Sequence, residues 1–333
     1  MANEIEKLQT LLKDDPSNFQ ARRELSILLA DNGFVEEALK NLEYLAKYFP
    51  EDAEIAYNLG ILYEKTKDRE KARKAYEKAI SISPQDDFFY NLGEVLVELQ
   101  EWDEAISAFK EVLRNEPNEG NCYFNLGLCY YHKEEFNLAT DNFQKAVELN
   151  PQDMFAYFYL ATIYQNNGLT NFAIENYEKV LAISPDYSWA YYNLASIYFK
   201  QGNIDEAKEY LLKTVQYNKT DVETYKLLAR ICMSQGETEE ITELLIDALE
   251  NNENGDLYYI LAKIYQQVGD SEEYYEQLGN ALETTWSLTY PKDIIQKEFD
   301  KIREELYLND EEDEDDDDED DIELNDEDEE EEI

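Results

Sequence analysis

The sequence predicts an all-α protein: a solenoid of about eight helix–turn–helix units, closed by a capping helix at each end and followed by an acidic tail. Three observations predict it. Prolines recur at a fixed interval, a pattern of large and small residues returns between them, and the 333 residues contain only 11 Gly and 7 Pro. Internal repetition of this period is the mark of stacked hairpins that share one interior. Hydrophobic residues make up 43% of the chain and tyrosine alone supplies 27, enough for a continuous core.

Pro16, Pro50, Pro84, Pro117, Pro151 and Pro185 stand 33 or 34 residues apart, leaving only Pro291 outside the register. Let each unit be numbered from its first residue: Phe19, Ala53, Asp86, Gly120, Met154, Ser188, Val222 and Gly255. Position seven is then leucine in all eight, from Leu25 to Leu261. Position eight is small: Ser26, Gly60, Gly93, Gly127, Ala161, Ala195, Ala229 and Ala262. Position twenty is alanine from Ala38 to Ala207, and position twenty-four is large, including Tyr76, Phe109, Phe143 and Tyr177. Positions four, seven, eight and eleven make one apolar helical stripe, and twenty, twenty-four and twenty-seven make a second. Small residues at eight and twenty let the two helices approach closely, and the large ones fill the space around that contact.

The ends of these helices are also written locally. Gly33, Gly168, Gly202, Gly236 and Gly269 fall at position fifteen, where a left-handed residue closes the first helix. Asn203 and Asp270 are placed to cap second helices, and Asn18, Asp52, Asp153 and Asp221 to cap first helices. Units seven and eight depart from the pattern: they lack the closing proline and carry Ile241 and Tyr274 at position twenty, which should widen or rotate the local pair.

This pattern resembles the tetratricopeptide repeat (TPR) family, whose unit is a 34-residue helix–turn–helix. Segments such as Tyr57-Asn58-Leu59-Gly60 and Tyr192-Asn193-Leu194-Ala195 lie close to its consensus. The resemblance covers residues 19–288 as eight units (19–52, 53–85, 86–119, 120–153, 154–187, 188–221, 222–254 and 255–288) and implies a right-handed superhelix. Residues 1–18 read as a lone second helix acting as an N-terminal lid, with Leu8 and Leu11 in register. Residues 289–308 read as a C-terminal capping helix that covers the last unit with Ile294, Ile295, Phe299, Ile302 and Leu306. Residues 309–333 hold 20 acids and no base, and are expected to be disordered.

The resemblance further implies that positions two, five, nine, twelve and thirteen line a concave groove. Its centre would be aromatic, with Tyr57, Tyr90, Phe124, Tyr131, Phe155, Phe158, Trp189, Tyr192 and Phe199; Arg23 stands at one end. Tyr259 and the basic residues Lys226, Arg230 and Lys263 stand at the other. Asn58, Asn91, Asn125 and Asn193 at position six form a broken ladder, and in long arrays of this family such a ladder grips a peptide backbone. For the aromatics the alternative is packing between helices, for the bases pairing with local carboxylates, and for the asparagines mere agreement with the consensus. The two-carboxylate clamp of chaperone-binding relatives is not matched by any three consecutive units.

Composition narrows the function. The formal net charge is −48, and without the tail the chain still has 57 acids against 29 bases, or −28. Nucleic acid and anionic membrane surfaces would be repelled, and basic proteins attracted. Cys122, Cys129 and Cys232 are too few for a disulfide framework and read as small core residues. With His132 the only histidine and no CxxC, neither a metal nor another cofactor is expected, and no catalytic constellation is visible. The opening MANEIEKLQTLLKDDP lacks the charged and apolar regions of a signal peptide. The expectation is a cytoplasmic, monomeric, non-enzymatic scaffold that binds an extended peptide or protein segment in its groove. The alternative is an acidic assembly chaperone that captures or masks basic proteins with its tail and body.

Overall fold

The computed structural model describes residues 2–316. Among these it is entirely helical, with no strand, and divides into two compact units at Ile183/Ser184. The first unit holds α1 (Ala2–Asp14), α2 (Phe19–Asp31), α3 (Val35–Tyr48), α4 (Ala53–Lys65), α5 (Arg69–Ile82), α6 (Asp86–Glu98), α7 (Trp102–Asn115), α8 (Gly120–His132), α9 (Phe136–Leu149), α10 (Met154–Asn166) and α11 (Thr170–Ile183). The second holds α12 (Ser188–Gln201), α13 (Ile204–Tyr217), α14 (Val222–Gln235), α15 (Glu239–Asn251), α16 (Gly255–Val268), α17 (Ser271–Glu283), a 3-10 turn at Thr285–Ser287, and α18 (Lys292–Asp316).

Within each unit consecutive helices form antiparallel hairpins, and hairpins stack on their neighbours: an α-solenoid. The close approach predicted at position eight is direct. A methyl group on Gly60 would lie 2.4 Å from the Tyr76 ring, on Gly93 2.6 Å from Phe109, and on Gly127 2.6 Å from Phe143. Those three rings are wholly buried. The small residue and the ring thus form a clasp inside each hairpin, and further leucines and alanines complete the core on either side.

The position-fifteen glycines all have φ between +73° and +84°. At the same position in the second to fourth hairpins stand Lys67, Gln100 and Glu134, which hold the same left-handed conformation at φ 60–61°. There the Cβ contact with the carbonyl costs about 1 kcal/mol per residue. Asn18, Asp52, Asp153 and Asp270 cap the helices as expected, accepting backbone N–H groups of their first turns. Asn203 and Asp221 make no side-chain cap. The Asp221 carboxylate instead accepts the Thr224 hydroxyl at 2.6 Å.

Several expectations at the ends need correction. In α1, Leu8 is buried but Leu11 is 43% exposed, and Leu12 packs in its place. In α18, Ile295 and Ile302 are buried with Phe299 and Leu306 packed beside them, whereas Ile294 is 49% exposed. The helix runs to Asp316, eight residues beyond the expected boundary at 308. No proline or glycine follows Pro291 to stop it, and glutamate continues a helix well. The disorder expected for 317–333 lies outside the described residues. The α14/α15 pair is loose, as Ile241 foretold, and α14 also meets α16 directly. The α16/α17 pair is as close as the others despite Tyr274, whose hydroxyl points away to Glu298 of α18 at 3.1 Å.

All three cysteines are buried free thiols. Desolvation pushes Cys122 and Cys129 up to about 12, so neither is a thiolate at neutral pH.

Candidate functional site

In the first unit, the inner residues of α4, α6, α8 and α10 pack mostly on one another and on second helices. Tyr57 stacks on Phe88 with centroids 4.5 Å apart and accepts the Asn91 amide on its hydroxyl at 3.0 Å. Tyr90 meets Phe109 edge-on at 5.8 Å. Phe124 lies 5.8 Å from Phe143, and Tyr131 lies 5.1 Å from Tyr159 and 5.7 Å from Phe136. Phe158 meets Tyr177 at 5.7 Å. Phe155, by contrast, is 51% exposed. Asn58 and Asn125 are half-buried. His132 stacks flat on Trp102 at 4.7 Å.

The same face is acidic. Glu64 accepts the Tyr76 hydroxyl, and Arg23 at the far end pairs with Asp52. Desolvation raises the Glu64 carboxyl, Tyr76 opposes this, and Glu94 and Glu98 add repulsion. Desolvation likewise raises Glu94, against a hydrogen bond from Tyr90 and with repulsion from Glu98.

In the second unit the inner side chains enclose space instead of closing it. An open cavity of about 730 Å³ lies between α12, α14 and α16. Tyr192, Ser196 and Phe199 form one wall; Glu223, Lys226, Leu227, Arg230 and Met233 form the floor. Tyr259, Ile260 and Lys263 form the opposite wall, joined by Tyr290 from the segment before α18. Trp189 is 55% exposed, and the Asn193 amide donates to the Trp189 carbonyl at 2.8 Å, within its own helix.

The three bases of this unit are not equivalent. Lys226 donates to Glu223 and to Asp256, both at 2.9 Å. Burial lowers its pKa, but those two carboxylates more than reverse that and raise it. Lys263 reaches Glu298 of α18 at 3.3 Å and the Gln266 amide oxygen. Arg230 has no carboxylate partner among the described residues; its guanidinium sits 5.4 Å from the centre of the Phe199 ring. The site therefore offers an apolar, aromatic basin with one uncommitted cation.

Sequence reasoning missed Glu223, Asp256, Thr289, Tyr290 and Glu298. The first two occupy position two of their units, yet aromatic and basic residues drew the reading of the groove. Tyr290 had one local signal: the residue before a proline is held extended, so it cannot belong to the following helix.

The stack of hairpins, each closed by the same small-residue and ring contact, defines the class: a TPR array, a protein-interaction module. The chain belongs to the family described as the cilia and flagella-associated protein 70 C-terminal domain, whose profile matches residues 6–259. Among solved structures, MamA from Desulfovibrio magneticus RS-1 is 24% identical, with 51% of this chain and 97% of that chain covered, at a TM-score of 0.49. YrrB, described as a TPR protein with an unusual peptide-binding site, is 26% identical over 56% of this chain and 96% of its own, at 0.48. Yeast Tom70 is 17% identical over 82% of this chain and 59% of its own, at 0.50, a likeness of fold. No curated protein matches the chain. Among the described residues no helix is long and apolar enough to cross a membrane, and no group of three or more acidic, histidine or cysteine side chains is arranged to hold a metal ion.

Proposed function

We propose that the chain is a non-catalytic scaffold that binds an extended segment of a partner protein on the inner wall of its second unit. Arg230 takes an anionic group of that segment. One observation carries the reading: in a chain with 77 acids and 29 bases, Arg230 lines a largely apolar cavity and has no carboxylate paired with it among the described residues. A charge-assisted hydrogen bond from this exposed guanidinium contributes about 1 kcal/mol, and Tyr192 and Phe199 offer rigid contact area at little entropic cost. Arg230→Glu combined with Phe199→Ala should reduce the recovery of captured partners about tenfold or more, with the helical circular dichroism unchanged. Undiminished capture by the folded variant would move the site elsewhere.

A second reading, capture of basic segments, is favoured by the first unit. Glu64 and Glu94 are partly desolvated beside tyrosines and have no cation paired with them among the described residues. A passing lysine or arginine would relieve that repulsion. Binding of a lysine-rich peptide should weaken in the Glu64→Gln/Glu94→Gln chain and fall with added salt; a salt-independent, unaltered affinity would remove this reading.

A further inference from the structure

The inner wall of the second unit already holds a stretch of extended polypeptide, and that stretch is its own. After the 3-10 turn, Leu288 is extended at φ −90°, ψ 116°, and Pro291 keeps Tyr290 out of the helical region. The Asp256 carboxylate accepts both the main-chain N–H of Thr289, at 2.6 Å, and its hydroxyl, at 2.5 Å. Lys226 donates to the same hydroxyl at 3.2 Å. The Tyr290 ring packs on Tyr259 at 4.7 Å and lies 5.2 Å from the Lys226 ammonium. The groups that hold this segment come from α14 and α16, at repeat positions two and five. Lys226, Tyr259 and Tyr290 also line the cavity.

This is how a groove reads a peptide. A buried carboxylate takes a backbone N–H whatever the side chain, a hydroxyl selects serine or threonine, and an aromatic pair anchors the next residue. The segment is not what fixes α18. That helix has its own attachments: Ile295 and Ile302 are buried, Phe299 stacks on Tyr275 at 4.6 Å, and Glu298 holds Lys263 and Tyr274. Leu288 stays anchored in the same apolar cluster, over Gly255, so Thr289 and Tyr290 are the residues that can lift from the wall while the helices before and after them stay packed.

Building on the reading of this wall as a peptide site, we propose that Thr289 and Tyr290 are an internal ligand. The partner segment presents the same chemistry, a serine or threonine followed by an aromatic residue in an extended chain, and binds by replacing them. A tethered competitor lowers the apparent affinity of any visitor by the fraction of time it occupies the wall.

The test uses a peptide with the sequence of residues 285–292, TWSLTYPK, amidated at its C-terminus and labelled with an uncharged fluorophore, added to the full chain. The Thr289→Val/Tyr290→Ala chain, whose own segment keeps only the main-chain N–H of residue 289 on Asp256, should bind the peptide about tenfold or more tighter than the unaltered chain. Lys226→Ala in that background should weaken the binding again. Equal affinity in both chains, or no binding by the folded double variant up to millimolar peptide, overturns the proposal. The peptide carries no acidic residue, so the Arg230 reading stands or falls separately: Arg230-dependent capture that persists alongside a negative peptide result overturns the internal ligand alone.

Discussion

Phe143→Ala should lower the stability of the first unit by about 3–5 kcal/mol, seen as a fall in urea midpoint by circular dichroism with the slope kept. Phe143 is wholly buried in α9, stacks on Tyr159 at 5.1 Å, and fills the clasp opposite Gly127. Its removal leaves a cavity walled by α8, whose backbone cannot collapse without losing the neighbouring leucine contacts. Gly127 provides a cross-check. In the unaltered chain Gly127→Ala forces a methyl to 2.6 Å from the ring and should cost about 1–3 kcal/mol. In the Phe143→Ala background the same methyl enters empty space, so the two effects should be far from additive. Simple additivity would mean that the glycine is present for some reason other than the ring.

Asp256→Ala should be nearly as severe in the second unit, about 3 kcal/mol, because it strips Lys226 of its buried partner and leaves the Thr289 N–H unanswered. Glu223 remains beside Lys226 at 2.9 Å but is exposed, so part of the charge is still compensated and the loss stays below that of a fully stranded ion. Burial pushes the Asp256 carboxyl up, but the Thr289 hydroxyl and Lys226 outweigh it and hold the carboxyl below its ordinary range. A lowered folded value means stability that is complete above the unfolded carboxylate value of about 3.9 and is lost as pH falls through the folded one. The stability gap between the unaltered and Asp256→Ala chains should therefore be flat from pH 7 to about 5 and narrow below about 4. A gap that grew on acidification would reverse the assignment.

The hairpins were legible because each repeats the same physical solution. Leucine at seven, a small residue at eight and a ring at twenty-four are local requirements of two helices in contact, and they recur until the pattern is unmistakable. Departures were legible where one residue controls one contact, as with Ile241 and the loose α14/α15 pair. What could not be read lies outside the periodicity or between distant residues. Leu12 rather than Leu11 meets the core, a shift of one residue in a lone helix that carries no full repeat pattern to set its register. The pairing of Lys226 with Asp256, of Lys263 with Glu298 and of Arg23 with Asp52 joins residues 29 to 35 apart in a chain rich in carboxylates, and nothing local selects those partners. That is why three bases of equal standing in the sequence became two committed ions and one uncommitted one. Thr289 and Tyr290 belong to no unit, so no repeat position flagged them.

The clasp between Gly60 and Tyr76, repeated by Gly93 with Phe109 and Gly127 with Phe143, joins the two halves of a single hairpin. Duplicating or excising a whole hairpin therefore leaves the clasps of all the remaining hairpins intact. A chain of this architecture can thus be lengthened or shortened by whole hairpins without breaking any clasp in those that remain.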